Sequence, residues 1–181
     1  MADQWPEWAL MALRMSHTIA GGLLLGAVFF NYVFLLPALK KIPVTQQIMV
    51  NMQIGTSVMY LSWSALAVLL STGILRLYTI HKLPDLLTGM FWTASYGRWL
   101  AVMMVGWIVV FNTLILLTFI LRPVLVKRLA VNPTPTAAIM QLRRNSQMSA
   151  STVVDRVHLI NLVAASCAVI AGSSLMFDGI I

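Results

Sequence analysis

ALRMSHTIAGGLLLGAVFFNYVFLL, Ala12–Leu36, is the stretch that decides the fold. Beyond Arg14 it holds no Lys, Arg, Asp or Glu, and the next charged residue is Lys40. As an α-helix rising about 1.5 Å per residue, such a run crosses the ~30 Å hydrocarbon core of a bilayer. Lipid offers no partner to backbone N–H and C=O groups, so the run must satisfy them internally, as a helix. Three more runs of the same kind follow at 56–78, 98–121 and 157–177. They predict an all-α integral membrane four-helix bundle, one membrane domain over residues 1–181. A cleavable signal peptide is the rival reading of the first run. Its leader carries Asp3 and Glu7 in place of basic residues, and the apolar stretch is too long, so the first helix is expected to be retained.

Composition points the same way. The chain is 60% hydrophobic and 9% charged, against roughly 45–50% and about 25% for soluble domains. An ordinary soluble globule is excluded. Lys and Arg number 12 against 5 Asp and Glu, a net charge of +7. Lys40, Lys41, Arg122, Lys127, Arg128, Arg143, Arg144 and Arg156 fall on the face shared by the first and third loops. Arg14, Arg76, Lys82 and Arg98 fall on the other, beside Asp3, Glu7, Asp85 and Asp178. The positive-inside tendency then puts the first face in the cytoplasm and both termini outside. Trp5, Trp8, Tyr78, Trp92, Tyr96 and Trp99 cluster near the proposed outer boundary, as interfacial aromatics do. The basic residues are thus accounted for by topology and anionic lipid, and no nucleic-acid partner is expected.

The connections are expected to be short on soluble structure. KKIPVTQQIMVNMQIG, from Lys40, carries Pro43 at a helix start, so the second helix is expected to begin ahead of the membrane. In the segment from Arg122 to Ser151, Pro133 and Pro135 are read as separating the third helix from a short amphipathic basic stretch on the inner surface. HKLPDLLTGMFWTASYG is too apolar for a freely solvated loop and is expected to rest on the bilayer or on another subunit.

Within the helices, Gly22 and Gly26 form a GxxxG beside Gly21, where a second helix backbone can approach closely. On the fourth helix His158, Asn161, Ala165, Ala168 and Gly172 recur at steps of three or four, a polar-to-small stripe expected to face protein. Asn112, Ser62, Ser64, Ser71 and Thr72 are candidates for interhelical hydrogen bonds. The single cysteine, Cys167, excludes a disulfide framework and a CxxC metal site. A phosphate-cradling glycine loop, HExxH and an intramembrane carboxylate pair are all absent, which argues against a hydrolase or kinase.

SHTIAGGLLLGAVFFNYVFLLPAL, STGILRLY and TASYGRWLAVMMVGW together resemble the copper-resistance D (CopD) family of bacterial inner-membrane proteins. The shared features are an early His in the first span, a Gly nine positions on, a Pro at its inner end, and a Tyr-Gly-Arg-x-Leu pattern entering the third span. The likeness covers about Leu13 to Val126. Leu24 and Met103 depart from it, standing where the family commonly has Trp and Lys. The resemblance implies a multi-pass inner-membrane protein whose His17 handles copper, or binds haem b as in the distantly similar HemJ-type proteins.

His17 and His158 are expected near opposite interfaces and so cannot ligate one iron. A metal at His17 needs a second donor from the same half, and His81, Met15, Met103, Met104 and Met176 are the candidates. His81 is the imidazole partner by elimination, with Met15 the soft donor nearest in sequence. A His one turn after Arg14 also fits a plain hydrogen bond to a neighbouring helix or an interfacial water, the commoner use of a His with no second ligand at fixed spacing. Three functions stand: copper or haem handling near the outer face, a non-catalytic accessory subunit packed on larger redox or photosynthetic membrane subunits, and a haem-linked oxidase.

Overall fold

The structure is a computed structural model that describes residues 5–42, 44–121 and 137–177. Helix α1 (Glu7–Phe29) starts after Pro6, passes through a π-helical turn over Phe30–Leu35 and ends as the short α2 (Leu36–Leu39). Helix α3 (Val44–Thr79) begins just beyond Pro43. A 3-10 turn (Pro84–Leu87) and the short α4 (Gly89–Thr93) lead into α5 (Ser95–Ile115), which ends in a second π-helical segment, Leu116–Leu121. Helix α6 spans Ala137–Phe177. No strand occurs among the described residues.

Four of these helices are long and apolar enough to cross a membrane: Glu7–Leu39, Gln53–Thr79, Ser95–Leu121 and Val153–Leu175. The first three reach beyond the apolar runs, and the fourth begins four residues before its run and ends two residues short of it. A helix stops at a breaker, not where hydropathy falls, and this corrects one expectation. The basic stretch holding Arg143 and Arg144 is no separate surface helix; it is the first part of the 41-residue α6, whose sequence has no Pro or Gly before Gly172. The Pro133–Pro135 punctuation lies outside the described residues.

The helices pair as two antiparallel hairpins, α1 with α3 and α5 with α6, joined chiefly where α1 meets α6. Leu24, Ala65, Leu66, Val110, Leu114 and Ala165, drawn from all four spans, form the buried centre. Aromatic side chains bridge α3 and α5. The Trp63 ring meets Phe111 edge-on at 5.6 Å, Phe111 stacks on Trp107 at 5.1 Å, and Trp63 Nε1 donates to Thr118 at 3.3 Å. On α6, Asn161 and Ala165 are buried. Thr113 of α5 donates to Asn161 Oδ1, a Cβ on Gly106 would lie 2.9 Å from Ala168 Cβ, and one on Gly172 would lie 3.6 Å from Met103 Sδ. Small residues at these positions let α5 and α6 approach closely.

Most of the hydroxyl and amide groups expected to bridge helices bond within their own helix instead. Ser62, Ser64, Ser71 and Asn112 donate to the carbonyls of Val58, Tyr60, Ala67 and Ile108, each four residues back. That carbonyl is the nearest acceptor a short side chain on a helix can reach, and it competes with any partner across the interface.

Candidate functional site

His17 lies on the α1 face that meets α3, and its Nδ1 is 2.7 Å from Thr72 Oγ1. Thr72 is buried, and its hydroxyl is also 2.5 Å from the Val68 carbonyl. A hydroxyl has one proton. Spent on Val68, it leaves Thr72 as the acceptor, so Nδ1 of His17 carries the proton and donates. The other ring nitrogen, Nε2, then keeps its lone pair. Gly73 faces the ring, with His17 Cε1 at an ordinary contact distance of 3.6 Å from where a Cβ would stand. Metal-ligating histidines are commonly fixed by a hydrogen bond from the non-ligating nitrogen. A histidine that merely satisfies a helix contact makes the same bond, so both readings of His17 are consistent with this geometry.

A cation stands near the pair, with an aromatic ring and a second cation beyond it. Arg76, one turn beyond Thr72, is close enough for its charge to act on both His17 and Tyr96. Lys82 Nζ stands 3.9 Å over the Tyr96 ring. Gly97 is fixed by contact, because a Cβ there would fall 2.0 Å from the Phe91 carbonyl oxygen where α4 crosses the start of α5. The His17–Thr72 contact and the start of α5 at Tyr96 therefore lie at the same end of the bundle.

The other expected donors lie elsewhere. Met15 is two residues from His17, about 200° around the helix, and is exposed on a different face. His81 is exposed in the turn after α3, in a left-handed conformation with φ 57°. Of these three, only His17 is oriented by a hydrogen bond to another helix. No group of three or more His, Cys, Asp or Glu that could hold a metal occurs among the described residues. His158 sits one turn from Asp155, which pairs with Lys40 at 2.5 Å at the opposite end of the bundle, on the order of 30 Å from His17 by helix rise. Gly22 and Gly26 are exposed, with nothing within 4 Å of a Cβ at either; it is Gly21 that faces α3, 3.8 Å from Leu69. Met103 packs on Gly172, and the side chain of Met176 lies outside the described residues.

Sequence reasoning missed Thr72 as the partner of His17. The usable signal was depth: counted back from the turn after Thr79, Thr72 lies about as far into α3 as His17 lies into α1. Comparison with protein-family models, with curated proteins and with solved structures found no match.

Proposed function

We propose that this chain is a CopD-like membrane protein that presents His17 Nε2 to haem iron or a copper ion at the His17 end of the bundle. The observation that supports the reading is the relay from His17 Nδ1–H through the Thr72 hydroxyl to the Val68 carbonyl, which orients the ring and frees Nε2. One oriented imidazole would supply one ligand to a haem iron. Copper requires further donors. The groove of macrocycle scale, about 660 Å3 between α5 and α6, is lined by residues that do not include His17. In this reading the remaining ligands and the enclosing wall come from a neighbouring subunit. The Lys40 end faces the cytoplasm of a bacterial-type inner membrane, and the His17 end and both termini face outward.

The test is an absorption spectrum and metal analysis of detergent-purified protein beside a His17→Ala variant. A Soret band, or copper at one equivalent, that disappears in the variant supports the reading. A colourless, metal-free wild type refutes it.

A second reading has its own observation. The outward GxxxG face of α1 is bare, and Leu87 and Met90, in the α3–α5 connection, are 93% and 85% exposed. Small-residue stripes seat neighbouring helices in membranes. These features favour an accessory subunit, tested by whether a larger membrane complex co-purifies with the wild type and is lost when Gly22 and Gly26 are changed to Ile.

A further inference from the structure

At the His17 end, α1 and α3 leave a pocket of about 80 Å3 lined by Leu10, Leu13, Arg14, Arg76, Thr79 and Ile80. Two arginines are among its lining residues and no Asp or Glu is. Neither arginine has an ion-pair partner among the described residues. Glu7, on the Arg14 side of α1, stands two turns away, and the Lys40–Asp155 pair belongs to the other end of the molecule. Two like charges on one small concavity repel each other, and an anion between them converts that repulsion into two attractions.

The lining selects the anion. Guanidinium offers a planar fork of donors that matches phosphate oxygens two at a time. The volume equals two to three waters at about 30 Å3 each, enough for one phosphate group and too small for a polyphosphate. Thr79 spends its hydroxyl proton on the Arg76 carbonyl at 2.9 Å, so the arginines are the donors that meet the ligand. Leu10, Leu13 and Ile80 make the remaining walls apolar. Trp8 and Tyr78, exposed beside the pocket on α1 and α3, mark the depth at which interfacial aromatics and lipid headgroups lie. Arg76 has a competing use, since it lies in the last turn of α3, where a cation offsets the negative helix end. Arg14 lies inside α1 and has no such use, so a need for both arginines separates the two explanations.

We propose that Arg14 and Arg76 jointly bind the phosphate of a phospholipid headgroup at the His17 end of the bundle. The proposal is independent of any ligand on His17, which the test leaves intact.

The test titrates the full chain, in a phosphate-free maltoside detergent, with phosphatidylglycerol, and reads bound lipid by native mass spectrometry. Arg14→Gln and Arg76→Gln are each expected to weaken binding about tenfold, the value of one charge-assisted hydrogen bond. Arg98→Gln, an exposed cation at the same end that does not line the pocket, is expected to leave binding unchanged. Equal loss in Arg98→Gln, or no loss in Arg14→Gln, overturns the pocket. Inorganic phosphate that displaces the lipid at millimolar concentration and binds the lipid-free protein equally tightly overturns the lipid as ligand. Should the glutamine variants fail to fold, Arg14→Lys and Arg76→Lys keep the charge without the fork; weakened binding supports the pocket, and undiminished binding overturns it.

Discussion

The chemistry at the His17 end turns on a single proton. Because the Thr72 hydroxyl is committed to Val68, the threonine fixes which imidazole nitrogen is free. Thr72→Val keeps the shape and removes the relay. Hydrogen bonds between membrane helices average about 0.6 kcal/mol, so thermal unfolding of the variant is expected to move little. Removing the group that orients a ligating histidine costs about 10- to 100-fold in affinity, so under the proposed function haem or copper titration should show a large loss. A stability loss with unchanged ligand affinity would reduce Thr72 to a packing residue. Gly97 and Gly73 make a second comparison at this scale. A methyl on Gly97 meets the Phe91 and Trp92 backbone at 2.0–3.0 Å, which no rotamer change relieves, whereas one on Gly73 meets His17 Cε1 at an ordinary 3.6 Å. Gly97→Ala is expected to lower stability by about 1–3 kcal/mol and Gly73→Ala by less than ~0.5 kcal/mol, measured by thermal unfolding in detergent.

Among the elements, the first π-helical segment has a cause in the sequence. It ends at Leu35, two residues before Pro37. Proline has no N–H for the carbonyl four residues back, and its ring crowds that carbonyl, so the preceding turn widens. Helix faces then decide which glycines matter. Gly106 of α5 lies against α6, and a Cβ there would stand 2.8 Å from the Ala164 carbonyl oxygen. Gly106→Ala therefore has to push α5 and α6 apart, at a cost of about 1–3 kcal/mol. Gly22→Ala and Gly26→Ala meet nothing within the chain and are expected to leave its stability unchanged within about 0.5 kcal/mol. Unfolding measurements that ranked the three variants otherwise would contradict the α5–α6 packing. The GxxxG spacing was legible in the sequence, but the face it occupies was not: that depends on which neighbours the helix meets, and the residue turned toward α3 is Gly21.

Across the whole molecule, four spans and an all-helical fold were readable because lipid forces every spanning segment to satisfy its own backbone, and apolar length records that directly. The continuity of α6 was less readable, since Pro133 and Pro135 signal a break and say nothing of the stretch after Ala137, which holds no Pro or Gly before Gly172. Of the candidate site, His17 stood out as an ionisable residue in a span, while Thr72 was one hydroxyl among several until the α1–α3 pairing singled it out. That pairing also carries the last prediction. Four antiparallel spans put the start of α1, the α3–α5 connection and the end of α6 at one end of the bundle and Lys40 at the other. The proposed orientation sends the basic Lys40 end to the cytoplasm. Cys167 is the only cysteine, so Cys167→Ser gives a clean background. In it, Trp8→Cys and Thr88→Cys should react with a membrane-impermeant maleimide added to intact cells, and Lys41→Cys only after permeabilisation. Labelling of Lys41→Cys alone from outside would invert the orientation and leave the bundle standing. Labelling that split Trp8→Cys from Thr88→Cys would break the antiparallel pairing of α1 with α3, and with it the contact that brings Thr72 to His17.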